Sequence, residues 1–360
     1  MKRWAWVAAG VGLLAAALVL AGAARRSRTE ALWRAVGPGG ERVVEVPRGA
    51  GLMAIAQGLQ RQGVIRDARA FCAGLKQWGL ETKLQAGFYR LSPTMSAEEI
   101  AQTIASGKVA TVRLTIPEGF TLEQIAERAA ATGLCTKREF LAAARPEAVR
   151  ARGFDPKQAG FDLPPKTLEG YLFPDTYALQ YDWGAGEIVD AMLAQFRRSV
   201  VQGLAPDLRA RDKPLHSIVT VASLIEREAR IPQDRAPIAS VIYNRLNRGM
   251  RLQLCATVLY ALGHHKSRVL YRDLEVDSPY NTYRHAGLPP GPIASPGLAS
   301  LKAALHPAQT DYLYYVAKRD GGHVFSRTAE EHLAAIRLVR ADPAGLQTVA
   351  PNGPSAAMGR

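Results

Sequence analysis

The segment SIVTVASLIEREAR, residues 217–230, contains the pattern that decides the fold of the larger part of the chain. At about 100° per residue, its apolar side chains form one stripe along a helix. The members of this stripe are Ile218, Ala222, Ile225 and Ala229. We therefore predict a helix that packs one face into a core. Two glutamates near the end of the segment, Glu226 and Glu228, flank the stripe on opposite edges.

The two glutamates have different neighbours on this helix. Glu226 lies near Arg230, which is a setting for an ordinary ion pair. Glu228 lies beside Val221 and Leu224, so its carboxyl is expected to be the less hydrated one. Desolvation disfavours the charged form and raises a carboxylic pKa toward neutrality, as a general acid requires at physiological pH. Two glutamates on a helix are also common as a solvated edge, so the pattern alone leaves both interpretations open.

Segments downstream of this helix carry groups that suit a sugar-binding site. A second amphipathic helix is predicted over residues 238–249, and loops rich in proline and glycine follow over 278–293. Planar rings offer apolar faces to a sugar, and amides bond its hydroxyl groups. The rings and amides chosen on this basis are Tyr280, Tyr283, Gln253 and Asn281. Hydrogen bonding within the loops is the alternative role for Gln253, Asn281 and Tyr283.

Two strand–turn–helix patterns, 70 residues apart, organise the first half of the chain. Residues 43–46 alternate like a strand and are followed by a Pro–Arg–Gly turn and helical spacing. Residues 112–116 repeat this arrangement with a Pro–Glu–Gly turn, and Thr121 is placed to cap the second helix. The first unit resembles a LysM-like module, a small fold associated with amino-sugar polymers. Any strand–turn–helix unit shows the same pattern, so that alternative stays open.

The N-terminal segment from Trp4 to Ala24 consists of 21 apolar or small residues. A helix of this length spans about 30 Å, the hydrocarbon thickness of a bilayer. We therefore expect a transmembrane anchor within residues 1–30. A cleaved signal peptide is the alternative. The apolar run is longer than the usual core of a signal peptide, and two arginines follow it directly.

The composition excludes several classes of protein. The net charge is +14, but five positive charges flank the apolar N-terminal segment and the others are spread along the chain. Nucleic acid is therefore not expected as a partner, whereas an anionic polymer or a membrane surface suits such a diffuse excess. Three cysteines without a CxxC pair argue against a disulfide scaffold, a four-cysteine zinc site and a redox enzyme. No histidine pattern predicts a metal site, and we expect no cofactor.

Six stretches of the chain together resemble the MltG (YceG-like) family of membrane-anchored endolytic murein transglycosylases. They cover most of residues 112–335, in the order and at the spacing of the family. The stretches are IPEGFTLEQIA from Ile116, LEGYLFPDTY from Leu168, VASLIEREA from Val221, SVIYNRLNRGMRLQ from Ser240, YNTYRHAGLPPGPIASPG from Tyr280 and HPAQTDYLYYVAKRDGGHVFS from His306.

This resemblance implies a catalytic role for Glu228, which matches the family's catalytic glutamate. The family cleaves the β-1,4 bond between MurNAc and GlcNAc without hydrolysis and leaves a 1,6-anhydro-MurNAc end. Glu169 and Asp175 are candidate accessory carboxylates. Their alternative roles are an ion pair for Glu169 and a turn cap for Asp175. The chain departs from the acidic turn of some members at Leu254-Cys255-Ala256-Thr257, which leaves the subsite contacts there open.

The residues and the resemblance together predict an α+β fold with an N-terminal transmembrane helix. The expected domains are the anchor and its flanks (1–30), a small LysM-like module (42–110), a larger mixed α+β catalytic domain (111–340) and a disordered tail (341–360). We expect a single-pass protein of the cytoplasmic (inner) membrane, held through residues 4–24, with its catalytic domain on the extracytoplasmic or periplasmic side.

The expected partners are peptidoglycan glycan strands and peptidoglycan synthases, and the expected role is to end the elongation of nascent strands. Two other functions fit the sequence. One is a hydrolytic muramidase that uses Glu228 with Asp175 or Glu169. The other is a non-catalytic protein that binds the cell wall and organises synthases.

Overall fold

The computed structural model describes residues 2–210, 213–263, 266 and 269–341. The chain divides into two compact units. The first unit comprises the residues up to Val112 together with 178–182, and the second comprises the residues from Arg113 on, except for 178–182. The predicted tail lies outside the described residues from position 342 on.

The first unit contains a small antiparallel sheet covered by helices. Its elements in order are α1 (Lys2–Leu32), β1 (Arg42–Val46), α2 (Leu52–Arg61), α3 (Ala68–Gln77), β2 (Gly87–Leu91) and α4 (Ala97–Ala105). In the β1–β2 pair, Val44 lies opposite Tyr89. Alternate side chains of a strand point to the same face, so Val44, Val46, Tyr89 and Leu91 are buried together. They share one core with Phe71 of α3.

The prediction of a transmembrane helix over residues 4–24 is wrong. α1 continues beyond the apolar run through Arg25, Arg26 and Arg28. Within the described part of the chain, no helix is both long and apolar enough to cross a bilayer. The mixture of helices and strands expected for the rest of the fold is present.

The second predicted strand–turn–helix unit is formed by β3 (Thr111–Thr115) and α5 (Leu122–Ala130). Thr121 caps α5 as predicted, because its hydroxyl accepts the N–H of Gln124. The Gln124 side chain in turn accepts the N–H of Thr121, which completes a capping box. β3 pairs with β4 (Thr176–Gln180) in a two-stranded sheet.

The second unit is mainly helical and contains a β-hairpin between its last two helices. Its further helices are α6 (Lys137–Ala143), α7 (Pro146–Ala151), α8 (Pro156–Ala159), α9 (Ala185–Phe196), α10 (Ala205–Ala210), α11 (Leu215–Glu228), α12 (Arg235–Asn247), α13 (Cys255–Leu262), α14 (Leu298–Leu305) and α15 (Ala329–Ala341). The antiparallel hairpin consists of β5 (Tyr314–Ala317) and β6 (His323–Ser326).

α11 is more deeply buried than the sequence predicts. Every residue from 218 to 225 is buried, so the helix is enclosed on all sides rather than on one face. Its two polar residues are tolerated because their hydroxyls bond within the core. Thr220 donates to the carbonyl of His216, and Ser223 donates to the carbonyl of Thr220. The helix ends at Glu228, two residues before the predicted end.

Candidate functional site

Glu228 lies at the C-terminal end of α11, where the backbone leaves the helix. The next residue, Ala229, is extended, with φ −75° and ψ 125°. The Glu228 side chain is half-buried. The hydroxyl of Tyr315, in β5, donates a hydrogen bond to Oε2 of Glu228 at 3.2 Å. The β5–β6 hairpin therefore meets the end of α11 at this carboxyl group.

Tyr315 is held in the core by the second strand of the hairpin. The Tyr315 side chain is almost completely enclosed. The His323 ring meets it edge-on, with ring centroids 5.2 Å apart at 86°. Nδ1 of His323 lies 2.8 Å from Oδ2 of Asp234, in the turn between α11 and α12. Burial, followed by the charge of Glu228, raises the pKa of Tyr315 far above its ordinary value, so this phenol keeps its proton.

A thiol and a second phenol lie on the α13 side of the same site. Sγ of Cys255 and the hydroxyl oxygen of Tyr283 are 3.2 Å apart. Burial raises the pKa of Cys255 to about 11, and the charge of Glu228 contributes to the rise. Burial also raises the pKa of Tyr283, again with a contribution from Glu228. Both groups are therefore neutral hydrogen-bonding partners at physiological pH.

Arg245, in α12, connects the segments around the site. Its buried guanidinium donates to the carbonyl of Leu313 at 2.6 Å and to the carbonyl of Leu252 at 2.9 Å. It also reaches Oε1 of Gln253 at 3.4 Å. Burial lowers the pKa of Arg245. Because a guanidinium stays charged in proteins, this side chain brings a fixed cation to the loop before α13 and to the start of the hairpin.

Gln253 and Asn281 shape the loops that carry Tyr283. Gln253 has φ 54°, in the left-handed region, and its N–H donates to the carbonyl of Thr282. Asn281 is fully buried. Its amide donates to the carbonyls of Leu274 and Val276, and its oxygen accepts the N–H of Tyr283. The structure thus places the Asn281 amide inside the loop.

Glu169 and Tyr280 both contact Tyr260, in α13. Glu169 is 3% exposed, and both its oxygens accept the N–H of Leu122 at the start of α5. The hydroxyl of Tyr260 donates to Glu169 at 3.3 Å, and the Tyr280 ring lies 4.8 Å from the Tyr260 ring. Burial raises the pKa of Glu169 to about 7, although these hydrogen bonds oppose the rise. Glu169 therefore caps a helix.

Asp175 lies at the turn that enters β4. Its side chain accepts the N–H of Thr176 at 2.7 Å and the side-chain amide of Gln195 at 2.7 Å. The carboxylate is thus engaged by the turn and by α9.

Glu226 forms the ion pair expected of it, but with a different arginine. Its carboxylate lies 3.7 Å from Arg235 in α12, whereas the sequence pattern predicted Arg230. Glu226 also accepts the N–H of Gly297, which precedes α14. The side chain is only 8% exposed, so desolvation does not single out Glu228 as predicted. Helical position alone could not show that α12 and α14 cover Glu226.

The profile of the YceG-like family matches residues 44–338, a span that includes α11, the loops around Tyr283 and the β5–β6 hairpin. This chain belongs to the YceG-like family. The resemblance predicted from the six sequence stretches is confirmed.

Known members of the YceG-like family are similar over most of the chain. An endolytic murein transglycosylase of Bacillus subtilis (strain 168) is 42% identical over 297 residues, which are 80% of this chain and 82% of that protein. A protein of the same name from Streptococcus pneumoniae serotype 2 is 31% identical over 313 residues, 80% of this chain and 56% of that protein. A yceG-like protein from Listeria monocytogenes, known from its crystal structure, is 40% identical in sequence. Its structure matches this chain with a TM-score of 0.57, and the match covers 82% of this chain and 98% of the Listeria chain.

The sequence patterns did not identify Tyr315, His323 and Asp234 as residues of the site around Glu228. The hairpin that carries Tyr315 and His323 lay within a recognised family stretch, but nothing in its local pattern indicated contact with α11. Of the predicted site residues, the structure brings Tyr283 to the neighbourhood of Glu228. It places Glu169 and Tyr280 against Tyr260, and Asp175 against Gln195 of α9.

Proposed function

We propose that this chain is an endolytic murein transglycosylase in which Glu228 is the catalytic acid and base. Relatives of this name match the chain at 42% and 31% identity. The observation that carries the assignment of Glu228 is its hydrogen bond from Tyr315, which fixes one oxygen of a half-buried carboxyl at the end of α11. A carboxyl held in this way can transfer a proton in both directions.

In the proposed reaction, Glu228 gives its proton to the glycosidic oxygen. The bond from C1 of MurNAc to that oxygen breaks, the electron pair leaves with the oxygen, and an oxocarbenium-like centre develops. The Glu228 carboxylate then takes the proton of the C6 hydroxyl of the same sugar, whose oxygen bonds to C1 and closes the 1,6-anhydro ring. Oriented intramolecular nucleophiles reach effective molarities of about 10⁵ M or more, so this attack can outcompete water.

The surroundings of Glu228 favour this route over hydrolysis. Hydrolytic glycosidases generally place a second carboxylate near the bond, to activate water or attack carbon. Here the two candidates are committed elsewhere, Glu169 to the start of α5 and Asp175 to Gln195. Among the described residues, the charge of Glu228 raises the pKa values of the Tyr315 and Tyr283 phenols and of the Cys255 thiol.

Product mass and one variant test the proposal. The purified full chain is incubated with isolated glycan strands, and the fragments are analysed by mass spectrometry. Anhydro closure leaves the summed mass of the products unchanged, whereas hydrolysis adds one water. Glu228→Gln should abolish cleavage and keep the unfolding temperature. Active Glu228→Gln protein would exclude the assignment, and binding without cleavage by the parent chain would indicate a scaffold.

We further propose that the enzyme acts on the extracytoplasmic side, because its polymer substrate lies there. Cutting nascent glycan would limit strand length, and synthases are the expected partners of such an activity. The proposed LysM-like module, residues 42–110, is the part of the first unit in which β1 and β2 pair and α2 and α3 lie between them in sequence. It would hold the same glycan during cleavage.

A further inference from the structure

Tyr315 contacts the proposed catalytic carboxyl although 87 residues separate the two in sequence. Glu228 is the last residue of α11, so no further helical turn follows to support its side chain. A hydrogen bond from another element adds a restraint at this point. The donor is a phenol on a strand in the core, which is a more rigid support than a loop.

The Tyr315 ring is itself held by a histidine that is hydrogen-bonded to an aspartate. The His323 side chain, 3% exposed, meets the ring edge-on, and its Nδ1 lies 2.8 Å from Oδ2 of Asp234. Asp234 belongs to the turn that follows α11. Tyr315 and His323, one on each strand of the hairpin, therefore connect Glu228 to Asp234, which lies six residues after it in sequence.

We propose that Tyr315 is a positioning residue for Glu228, and that His323 and Asp234 keep its ring in place. Since the phenol donates to Oε2, that oxygen acts as an acceptor, and in the neutral carboxyl the proton resides on Oε1. Oε1 is then the atom that gives its proton to the glycosidic oxygen and later takes the proton of the C6 hydroxyl. This inference rests on the proposed role of Glu228.

Besides Glu228, two other groups act on the pKa of Tyr315. Arg245 of α12 acts to lower its pKa, and Cys255 of α13 acts to raise it. Burial is the largest influence and raises the pKa of Tyr315, so the phenol remains a neutral donor at physiological pH. Burial also raises the pKa of Tyr283, with a contribution from the charge of Glu228, so this phenol stays neutral too.

Tyr315→Phe removes only the hydroxyl, and the phenyl ring fits the same space. With the full chain and isolated glycan strands, we expect kcat to fall about 10- to 100-fold, the loss of one hydrogen bond to a charged group. KM should stay within about twofold. The alkaline limb of the pH–rate profile should move to higher pH, because the phenol no longer favours the carboxylate form.

Tyr314→Phe is the matched control, since Tyr314 precedes Tyr315 on the same strand and points to the opposite face. It should leave kcat and the pH–rate profile unchanged. His323→Phe should also lower kcat, and the double variant Tyr315→Phe/His323→Phe should be no slower than Tyr315→Phe, because His323 acts through Tyr315. If His323→Phe does not fold, Tyr315→Phe alone decides the inference.

Glu228→Gln, measured in parallel, separates this inference from the proposed function. If Glu228→Gln is inactive while Tyr315→Phe keeps the kcat of the parent and the alkaline limb of its pH–rate profile, Tyr315 does not position Glu228. A fall in kcat that follows a lower unfolding temperature, with no shift of the limb, would likewise assign Tyr315 a purely structural role. If Glu228→Gln is active, the proposed function fails first.

Discussion

Both carboxyl oxygens of Glu169 lie 3.0 Å from the backbone nitrogen of Leu122, the first residue of α5. This contact places a carboxyl at the positive end of a helix, where an anion is favoured. Burial acts against the anion and is the larger effect, since the pKa of Glu169 is raised to about 7. A helix cap and a buried acid are thus combined in one side chain.

Glu169 makes stability depend on pH in a defined direction. Its pKa is about 7 in the folded protein and 4.5 ordinarily, so the folded state binds more protons between these values. The contribution of Glu169 to the free energy of unfolding is therefore fully present below pH 4.5 and is lost as the pH rises through 7. Glu169→Gln should remove about 1–3 kcal/mol of this dependence, measured as the free energy of unfolding in urea at pH 5 and pH 8. Equal pH dependence in variant and parent would contradict the prediction.

His332 is predicted to act in the opposite direction. Its ring is buried against Tyr314, and neither ring nitrogen has a hydrogen-bond partner among the described residues. Burial, with a contribution from Arg245, lowers its pKa below 6.5. The unfolded chain therefore takes up a proton near pH 6.5 that the folded protein does not, and stability falls as the pH falls below this value.

His332→Phe should raise the free energy of unfolding by about 1 kcal/mol, because two unsatisfied polar atoms leave the core. The gain should be larger at pH 5.5 than at pH 7.5. The two pH values are compared in urea titrations of parent and variant. A gain that is independent of pH would show that His332 does not titrate in this range.

Local sequence patterns predicted those features that depend on neighbouring residues. The helix cap at Thr121 and the placement of Glu228 near the end of a helix both follow from spacing within a few positions. The contact between Glu228 and Tyr315 could not be predicted in this way, because it depends on the packing of a distant hairpin. The burial of Glu226 was missed for the same reason, since its partners are in α12 and before α14.

Gly297 is predicted to accept alanine only if the carboxyl group of Glu118 moves aside. A Cβ atom at this position would lie 1.8 Å from Oε1 of Glu118, whose carboxyl rests against the glycine. Glu118 is exposed and its flexible carboxyl group can turn aside, so Gly297→Ala should destabilise the protein by at most about 1 kcal/mol, the lower end of the cost of overpacking. Gly58→Ala, in α2, is the control. A Cβ there meets nothing within 4 Å, and alanine favours the helix by up to about 1 kcal/mol. Thermal unfolding of both variants measures the contrast, and equal shifts would contradict it.

Cys255 should resist alkylation despite its place beside the proposed catalytic residue. The thiolate is the reactive form, and burial raises the pKa of Cys255 to about 11. Cys72 and Cys135 also have raised pKa values, but their burial is less complete. Iodoacetamide at pH 7.5 should therefore label Cys255 most slowly, as followed by mass spectrometry of the three cysteine peptides. In urea the three rates should converge, since the ordinary pKa is then common to all. Faster labelling of Cys255 in the folded protein would mean that its thiol ionises readily beside Glu228, contrary to the neutral surroundings that the proposed reaction needs.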